Sequence, residues 1–333
     1  MERIEQSFHL NHDAIQLLQK ALTTSFFEAY LEQVENILDD YQVRVIGEVP
    51  SQATVEKLLP IYEKLKNVDL KPEEIRKLSQ LLLLKGLQSE PLQANHQLTP
   101  DSIGYLFVYL IEQFYPEKSK PLTILDLCVG TGNLLLTLLT SLSVSGYQVE
   151  GTGIDNDELL IELAAVNSQW TKQETLLQLY DALQYPFPTK YEIVVSDLPV
   201  GYYPIDEVAD KFEVATKEGH TYAHHLLMEQ GMKQVKEAGY GFFLLPSHFL
   251  DSDQSTELKN WLGKDVYLQG VIQLPTELFK QESAQKSIVI LQNKGNMAHQ
   301  AKEVLVATIP TLKDLEVVSR FFQQVTAWKK ENL

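Results

Sequence analysis

Residues Leu122 to Asn133 read L-T-I-L-D-L-C-V-G-T-G-N, and this stretch decides the fold. Leu122, Ile124, Leu125 and Leu127 form an apolar run of the kind a strand buries on both faces. The run gives way to Gly130-Thr131-Gly132 and then to a helix-like segment from Leu134 to Leu142. The reading is strand, glycine turn, helix. Glycines at such a turn let the backbone approach a ligand closely, and the following helix offers free N–H groups and a positive dipole end to a negative group. A nucleotide-like cofactor is expected there.

Three departures narrow the choice of cofactor. No third glycine follows at dinucleotide spacing, no G-K-[ST] follows as in a P-loop, and an acid, Asp126, sits within the turn. Asp126 would repel a pyrophosphate. It suits a cationic group instead, such as the amino group of S-adenosylmethionine, whose carboxylate would take the helix end. A second acid, Asp155, ends the next apolar stretch, Gln148 to Asp155, where it is placed to accept ribose hydroxyls.

The chain has 333 residues, 44% apolar and 9% aromatic, which predicts about two globular domains. The first residues carry no basic region ahead of a long apolar segment, and no run approaches the roughly 18 apolar residues of a membrane span. A cytoplasmic location is the expectation. The single cysteine, Cys128, excludes an internal disulfide and is read as a small residue packed under the glycine turn. His220, His224 and His225 are close in sequence but form no metal-ligand motif with a nearby Cys or acid, so no metal is expected. Net charge is −17, of which residues 91–295 contribute −13 without a single arginine. Such a segment is poorly equipped to hold DNA unaided, because duplex binding rests on neutralising phosphates.

Residues 1–90 read as a helical domain. Phe26, Phe27, Tyr30, Leu31, Val34 and Leu38 recur at helical spacing, Val55 to Leu65 is a second stripe, and Pro72-Glu73-Glu74 opens a third helix. Val43 to Val49 is a short strand candidate. A polar, helix-breaking stretch from Ser89 to Leu98 marks the boundary, and Thr99 then caps a helix with Pro100 at its first position. Strands at 122–127, 147–154, 175–180, 191–196, 240–245, 266–274 and 287–292 follow, with helices at 133–143, 157–169 and 221–237. This alternation predicts an α/β, doubly wound, mostly parallel seven-stranded sheet in residues 91–295, its last two strands an antiparallel pair at the edge. Residues 296–333 add a strand and a helix packed on that domain. Asp126, Asp155, Asp181 and Asp197 each fall at the carboxyl end of a strand, where ligands sit in such sheets.

The order L-T-P, D-x-C-x-G-x-G, G-I-D, D-A-L, S-D-L-P-V-G, G-F-F-L-L-P-S and I-Q-L-P over roughly residues 90–295 resembles the N-6 adenine-specific DNA methylase family, above all the modification subunit of type I restriction systems. The resemblance implies a Rossmann-like class I methyltransferase fold and S-adenosylmethionine as cofactor. It places Thr99 and Pro100 beside the methionine end of the cofactor, and Asp126, Cys128, Gly130, Thr131, Gly132 and Asn133 in the cofactor loop. Asp155 and Asn156 fall at the ribose, and Asp181 and Ala182 at the adenine amino group. Asp197, which also faces the cofactor, opens the catalytic tetrapeptide, an Asn, Asp or Ser followed by Pro-Pro and an aromatic. DNA is the substrate the resemblance implies, with target recognition supplied by a separate specificity partner, since too little chain remains after Lys294 for a recognition domain.

The tetrapeptide must solve a specific problem. An exocyclic amino nitrogen shares its lone pair with the ring, and it becomes nucleophilic when acceptors take its N–H bonds. The Asp197 side chain and the Leu198 carbonyl are the expected acceptors, with Pro199 fixing the turn. Leu198 replaces the first proline but keeps the carbonyl. Val200 replaces the aromatic on which a base would stack, and Tyr202 or Tyr203, after the flexible Gly201, is expected to compensate. Pro204 to Gly219, charged and without pattern, is expected to form a mobile lid. Two other readings stand beside this one: a scaffold that keeps the cofactor site without catalysis, and a methyltransferase acting on RNA or a protein glutamine.

Overall fold

Successive strand residues point to opposite faces of a sheet, and in the apolar strands of this chain both faces are buried. The computed structural model describes residues 2–90, 92 and 98–333. One sheet contains β1 (Leu122–Asp126), β2 (Val149–Asp155), β3 (Thr175–Leu179), β4 (Tyr191–Asp197), β5 (Val235–Pro246), β6 (Val266–Gln273), β7 (Lys286–Asn293) and β8 (Leu305–Thr308). The order is β3-β2-β1-β4-β5-β7-β6-β8, and β7 alone runs antiparallel to its neighbours.

One face, carrying Ile124, Ile193, Phe242, Ile288 and Ile290, is covered by α5 (Asp101–Phe114), α6 (Asn133–Val144) and α11 (Leu315–Asn332). The other, carrying Leu125, Val194, Phe243, Val289 and Leu291, is covered by α9 (Ala223–Gln234) and α10 (Ser255–Lys264). A third cluster joins α1 (Glu2–Leu22), α2 (Phe26–Leu38), α3 (Gln52–Lys66) and α4 (Pro72–Ser89) to α7 (Glu158–Trp170), through Leu163, Val166 and Trp170. Among the described residues no helix is long and apolar enough to cross a membrane.

Several expectations are corrected. The sheet has eight strands rather than seven, because β8 pairs with β6 and becomes the edge. The β6–β7 pair is antiparallel as expected but lies inside the sheet, with β7 inserted between β5 and β6. Val43–Val49 forms no strand; a single bridge joins Ile46 to Val49, and Ile46 is 71% exposed, with no neighbouring strand to bury it. The helix expected over 221–237 stops at Gln234, and β5 begins at the next residue. Helix α10 was not expected. Of the boundary stretch at 89–98, residues 91 and 93–97 lie outside the described residues.

Polar links tie the amino-terminal helices to the α/β layer. Arg76, 1% exposed, forks onto Asp101 at the start of α5, at 2.9 Å to Oδ1 and 2.8 Å to Oδ2, and its Nε donates to Glu73 at 3.1 Å. Tyr30 donates its hydroxyl to Asn167 of α7, whose amide in turn donates to the Thr131 carbonyl at 3.2 Å. Breaking a fully dry ion pair by removing one partner costs roughly 3–5 kcal/mol. Asp101 and Glu73 are about a quarter exposed, so the expected loss for Arg76→Met is smaller, about 2 kcal/mol, read as a lower urea midpoint at unchanged slope.

Candidate functional site

After β1 the chain turns sharply. Gly130 and Gly132 have φ of 54° and 82°, in the left-handed region that glycine enters without steric cost. A Cβ on Gly132 would also stand 3.3 Å from Ala164 Cβ and from Leu136 Cδ1, so the loop packs against α7 as well as turning. The Val129 N–H donates to the Ile154 carbonyl and the Gly132 N–H to the Val129 carbonyl, each at 2.9 Å. Asn133 then opens α6, whose first-turn N–H groups have no intrahelical acceptor. Asp155, at the end of β2, spans the turn: Oδ2 accepts the Gly130 N–H at 2.9 Å and Oδ1 the Asp157 N–H at 3.1 Å. Asn156 is exposed beside it.

Asp126 lies 2% exposed beneath this turn and accepts the Ser196 hydroxyl at 2.6 Å and the Cys128 N–H at 3.1 Å. Burial pushes its carboxyl up to about 7, the charges of Asp197 and Asp155 push the same way, and its two hydrogen bonds oppose them. The same burial and the carboxylates Asp155 and Asp126 push the Cys128 thiol well up. That keeps it protonated and unreactive at neutral pH.

At the end of β4, Asp197 Oδ2 accepts the Thr99 hydroxyl at 2.8 Å, and Oδ1 forms an ion pair with Lys286 at the start of β7. The Thr99 carbonyl accepts the Asn133 amide at 2.7 Å. Thr99 therefore does not cap α5. Its hydroxyl donates to the Asp197 carboxylate; Pro100 is exposed at the cap position, and the helix starts at Asp101, which leaves Thr99 outside the cap. Leu198 is wholly buried, with its N–H donating to the Leu244 carbonyl at 2.9 Å, so core packing fixes the backbone that the family's proline would stiffen. Pro199 is exposed and Val200 is 53% exposed.

The two tyrosines after Gly201 part company. Tyr203 is buried, and its hydroxyl donates to Asp181 Oδ2; the Gln184 amide donates to the same oxygen at 2.8 Å, and the Leu183 N–H to Oδ1 at 3.0 Å. Tyr203 holds Asp181 and is not placed to swing over a substrate. Ala182 is buried, its carbonyl accepting the Gln230 amide at 3.1 Å. Tyr202 is 56% exposed and stacks on Tyr222 with centroids 4.8 Å apart and planes 11° from parallel; Tyr222 stacks in turn on His224 at 5.2 Å.

The segment from Pro204 to Gly219 is not an open lid. It contains α8 (Asp206–Ala209) and buries Val208, Ala209, Phe212 and Val214, with the Val214 N–H bound to Glu229 at 3.0 Å. His224 and His225 are more deeply buried than expected. Burial lowers them to about 3 and about 4, so both are neutral, and among the described residues no group of side chains could hold a metal.

Sequence reasoning missed Lys286, Ser196 and Tyr222. Ser196 was within reach of it, since it precedes Asp197 in the motif itself. A lone lysine opening a strand and a tyrosine opening a helix carry no comparable signal.

A mostly parallel sheet with a glycine turn after its first strand, an acid after its second and Asp-Leu-Pro after its fourth defines a class I methyltransferase. The chain belongs to the N-6 DNA methylase family, whose model matches residues 84–323, and a second model, the YtxK N-terminal helical domain, matches residues 5–87. It is 35% identical over 326 residues to YtxK of Bacillus subtilis, an uncharacterised protein, covering 97% of each chain. It superposes with a TM-score of 0.89 on a Listeria monocytogenes protein provisionally described as a class I S-adenosylmethionine-dependent methyltransferase, at 37% identity over 98% of this chain and 99% of that one. The methyltransferase subunit of a type I restriction-modification system from Streptococcus thermophilus shares the fold, with a TM-score of 0.66 and 16% identity over 95% of this chain and 73% of that one.

S-adenosylmethionine is the cofactor of this class, and the residues present fit it. The glycine turn with its helix start offers N–H groups to a carboxylate. Burial and the charges of Asp197 and Asp155 push Asp126 up to about 7, a cost that a sulfonium or ammonium bound nearby would offset.

The raised Asp126 also has a stability consequence with a definite sign. In the unfolded chain this carboxyl ionises near 4, while the folded protein holds the proton to about 7. The folded state therefore binds more protons between those values, and the contribution is lost as pH rises through the window. Urea denaturation of the ligand-free protein at pH 5 and pH 8 is expected to show Asp126→Asn gaining stability relative to wild type at the higher pH.

Proposed function

We propose that the chain transfers a methyl group to the exocyclic amino group of adenine or a similar planar amine, held by Asp197 and the Leu198 carbonyl. When bound, S-adenosylmethionine supplies an electrophilic methyl group on a sulfonium. The chain's own residues would orient the acceptor. The observation that carries the reading is the fixing of Asp197 from two sides, by Thr99 and Lys286, next to a Leu198 backbone anchored by a buried side chain. Fixed acceptors of this kind act without reorganising as charge develops on the amine. We assign the missing aromatic to Tyr202, whose exposed ring is backed by Tyr222 and His224.

DNA is the proposed substrate by family, recognised with the help of a separate specificity partner, because residues 91–295 are strongly acidic and lack arginine. A cytoplasmic location belongs to the same proposal. So does a division into a helical unit at 1–90, a methyltransferase unit at 91–295, and a carboxyl-terminal strand and helix at 296–333. The pairing of β8 with β6 and the stacking of Phe322 on Tyr109 at 3.7 Å support attachment of that last part to the sheet layer. The exposed Val200 favours one competing reading, a scaffold that binds the cofactor without turnover.

Labelled methyl transfer to genomic DNA, RNA and cell extract decides between them. The expected result is transfer that Asp197→Ala reduces by roughly a hundredfold or more. In the same assay Tyr202→Ala is expected to weaken substrate use about tenfold to a hundredfold, the range for loss of one base stack. No transfer to any of the three, with cofactor binding intact, selects the scaffold.

A further inference from the structure

Lys286 is the one cation that the structure pairs with an acid of the site, among the described residues. It opens β7 opposite Pro246 of β5, whereas Asp197 ends β4 opposite Leu244 of β5. Its side chain therefore crosses an entire strand, about 9–10 Å at ordinary sheet spacing, to reach the carboxylate. Both side chains are 20% exposed, so water screens the pair only partly. Thr99 occupies the other oxygen with a neutral hydroxyl. An ionised carboxylate has about four acceptor positions, so these two donors leave room for an amine N–H.

The charge is the point. An amine attacks a methyl group through its lone pair, and a protonated amine has none. A bare carboxylate, with Asp126 and Asp155 nearby, would favour an ammonium and so hold the acceptor in its unreactive form. An amide oxygen in the same place would accept an N–H bond without that bias.

We propose that Lys286 is a positioning residue that cancels the charge of Asp197, so that the pair acts as the equivalent of a neutral amide and suits a neutral aromatic or carboxamide amine. The inference rests on the methyltransferase reading and names the acceptor's charge state. Its test needs no turnover, because S-adenosylmethionine carries a sulfonium cation and S-adenosylhomocysteine a neutral thioether. The ratio of their affinities reports the net charge at the reacting centre.

Both ligands are titrated calorimetrically into wild type, Lys286→Met, Lys286→Arg, Asp197→Asn and the Lys286→Met/Asp197→Asn double variant. Lys286→Met, which leaves the carboxylate bare, is expected to raise the preference for the sulfonium by about three- to tenfold, the scale of one unit charge at partly screened distances. Asp197→Asn, which leaves the ammonium bare, is expected to lower it by a similar factor. The double variant and Lys286→Arg are expected to keep the wild-type ratio. A purely structural lysine would move both affinities together, and that result overturns the inference. If Lys286→Met does not fold, the Asp197→Asn arm decides alone, an unchanged ratio overturning it. Wild type that binds neither ligand overturns the cofactor assignment and this inference with it; binding with a ratio blind to these substitutions overturns this inference alone.

Discussion

Parallel alignment of β1, β2 and β4 brings their carboxyl ends to one edge of the sheet, and with them three acids that repel one another. The arrangement around them follows from that repulsion. Asp126 opposes Gly153 in the ladder, and Asp155 and Asp197 close their own strands. A buried carboxylate without partners is expensive, and each of the three is met by donors: Ser196 and Cys128 for Asp126, Gly130 and Asp157 for Asp155, Thr99 and Lys286 for Asp197. The donors come from the turn after β1, from the neighbouring strand β4, from Thr99 two residues ahead of α5, from Asp157 at the cap of α7 and from β7. A change in any of those elements therefore reaches the acids directly.

The Asp-Leu-Pro-Val stretch departs from its family's pattern at two positions, and the two departures are handled differently. Leu198 substitutes burial for ring closure: a side chain locked in the core restricts the backbone from outside, where proline restricts it from within. Val200 has no such replacement at its own position and is left facing solvent. The nearest aromatic answer is the Tyr202 ring, stacked at the end of a column with Tyr222 and His224. The neutrality of His224 lets that column pack without an uncompensated charge.

The glycine turn and the acids at strand ends were legible because each is a local event: a periodicity that breaks at a fixed residue type. Thr99 shows where local reasoning fails. Its sequence context is that of a helix cap, yet the helix begins one residue later than expected and the hydroxyl donates to a carboxylate 98 residues away. Lys286 was invisible for the same reason, since its partner is chosen by two strand pairings that no short window contains. The sheet order beyond β5 was equally non-local. Strands β6 and β7 were recognisable by their apolar runs, but the insertion of β7 between β5 and β6, and the addition of β8 at the edge, depend on long-range register. The segment after Pro204 looked patternless because its buried residues, Val208, Phe212 and Val214, are spaced by turns rather than by one repeating element.

The Tyr30–Asn167–Thr131 relay has a mechanical meaning. A hydroxyl on the second helix, through one amide, ends on the carbonyl of the residue between the two left-handed glycines. A ligand whose seating moved the Thr131 carbonyl would strain this link to the second helix, and by linkage a partner that moved the second helix would change that ligand's affinity by the same free energy. The amino-terminal helices are in this sense tied to the glycine turn through Asn167 of α7.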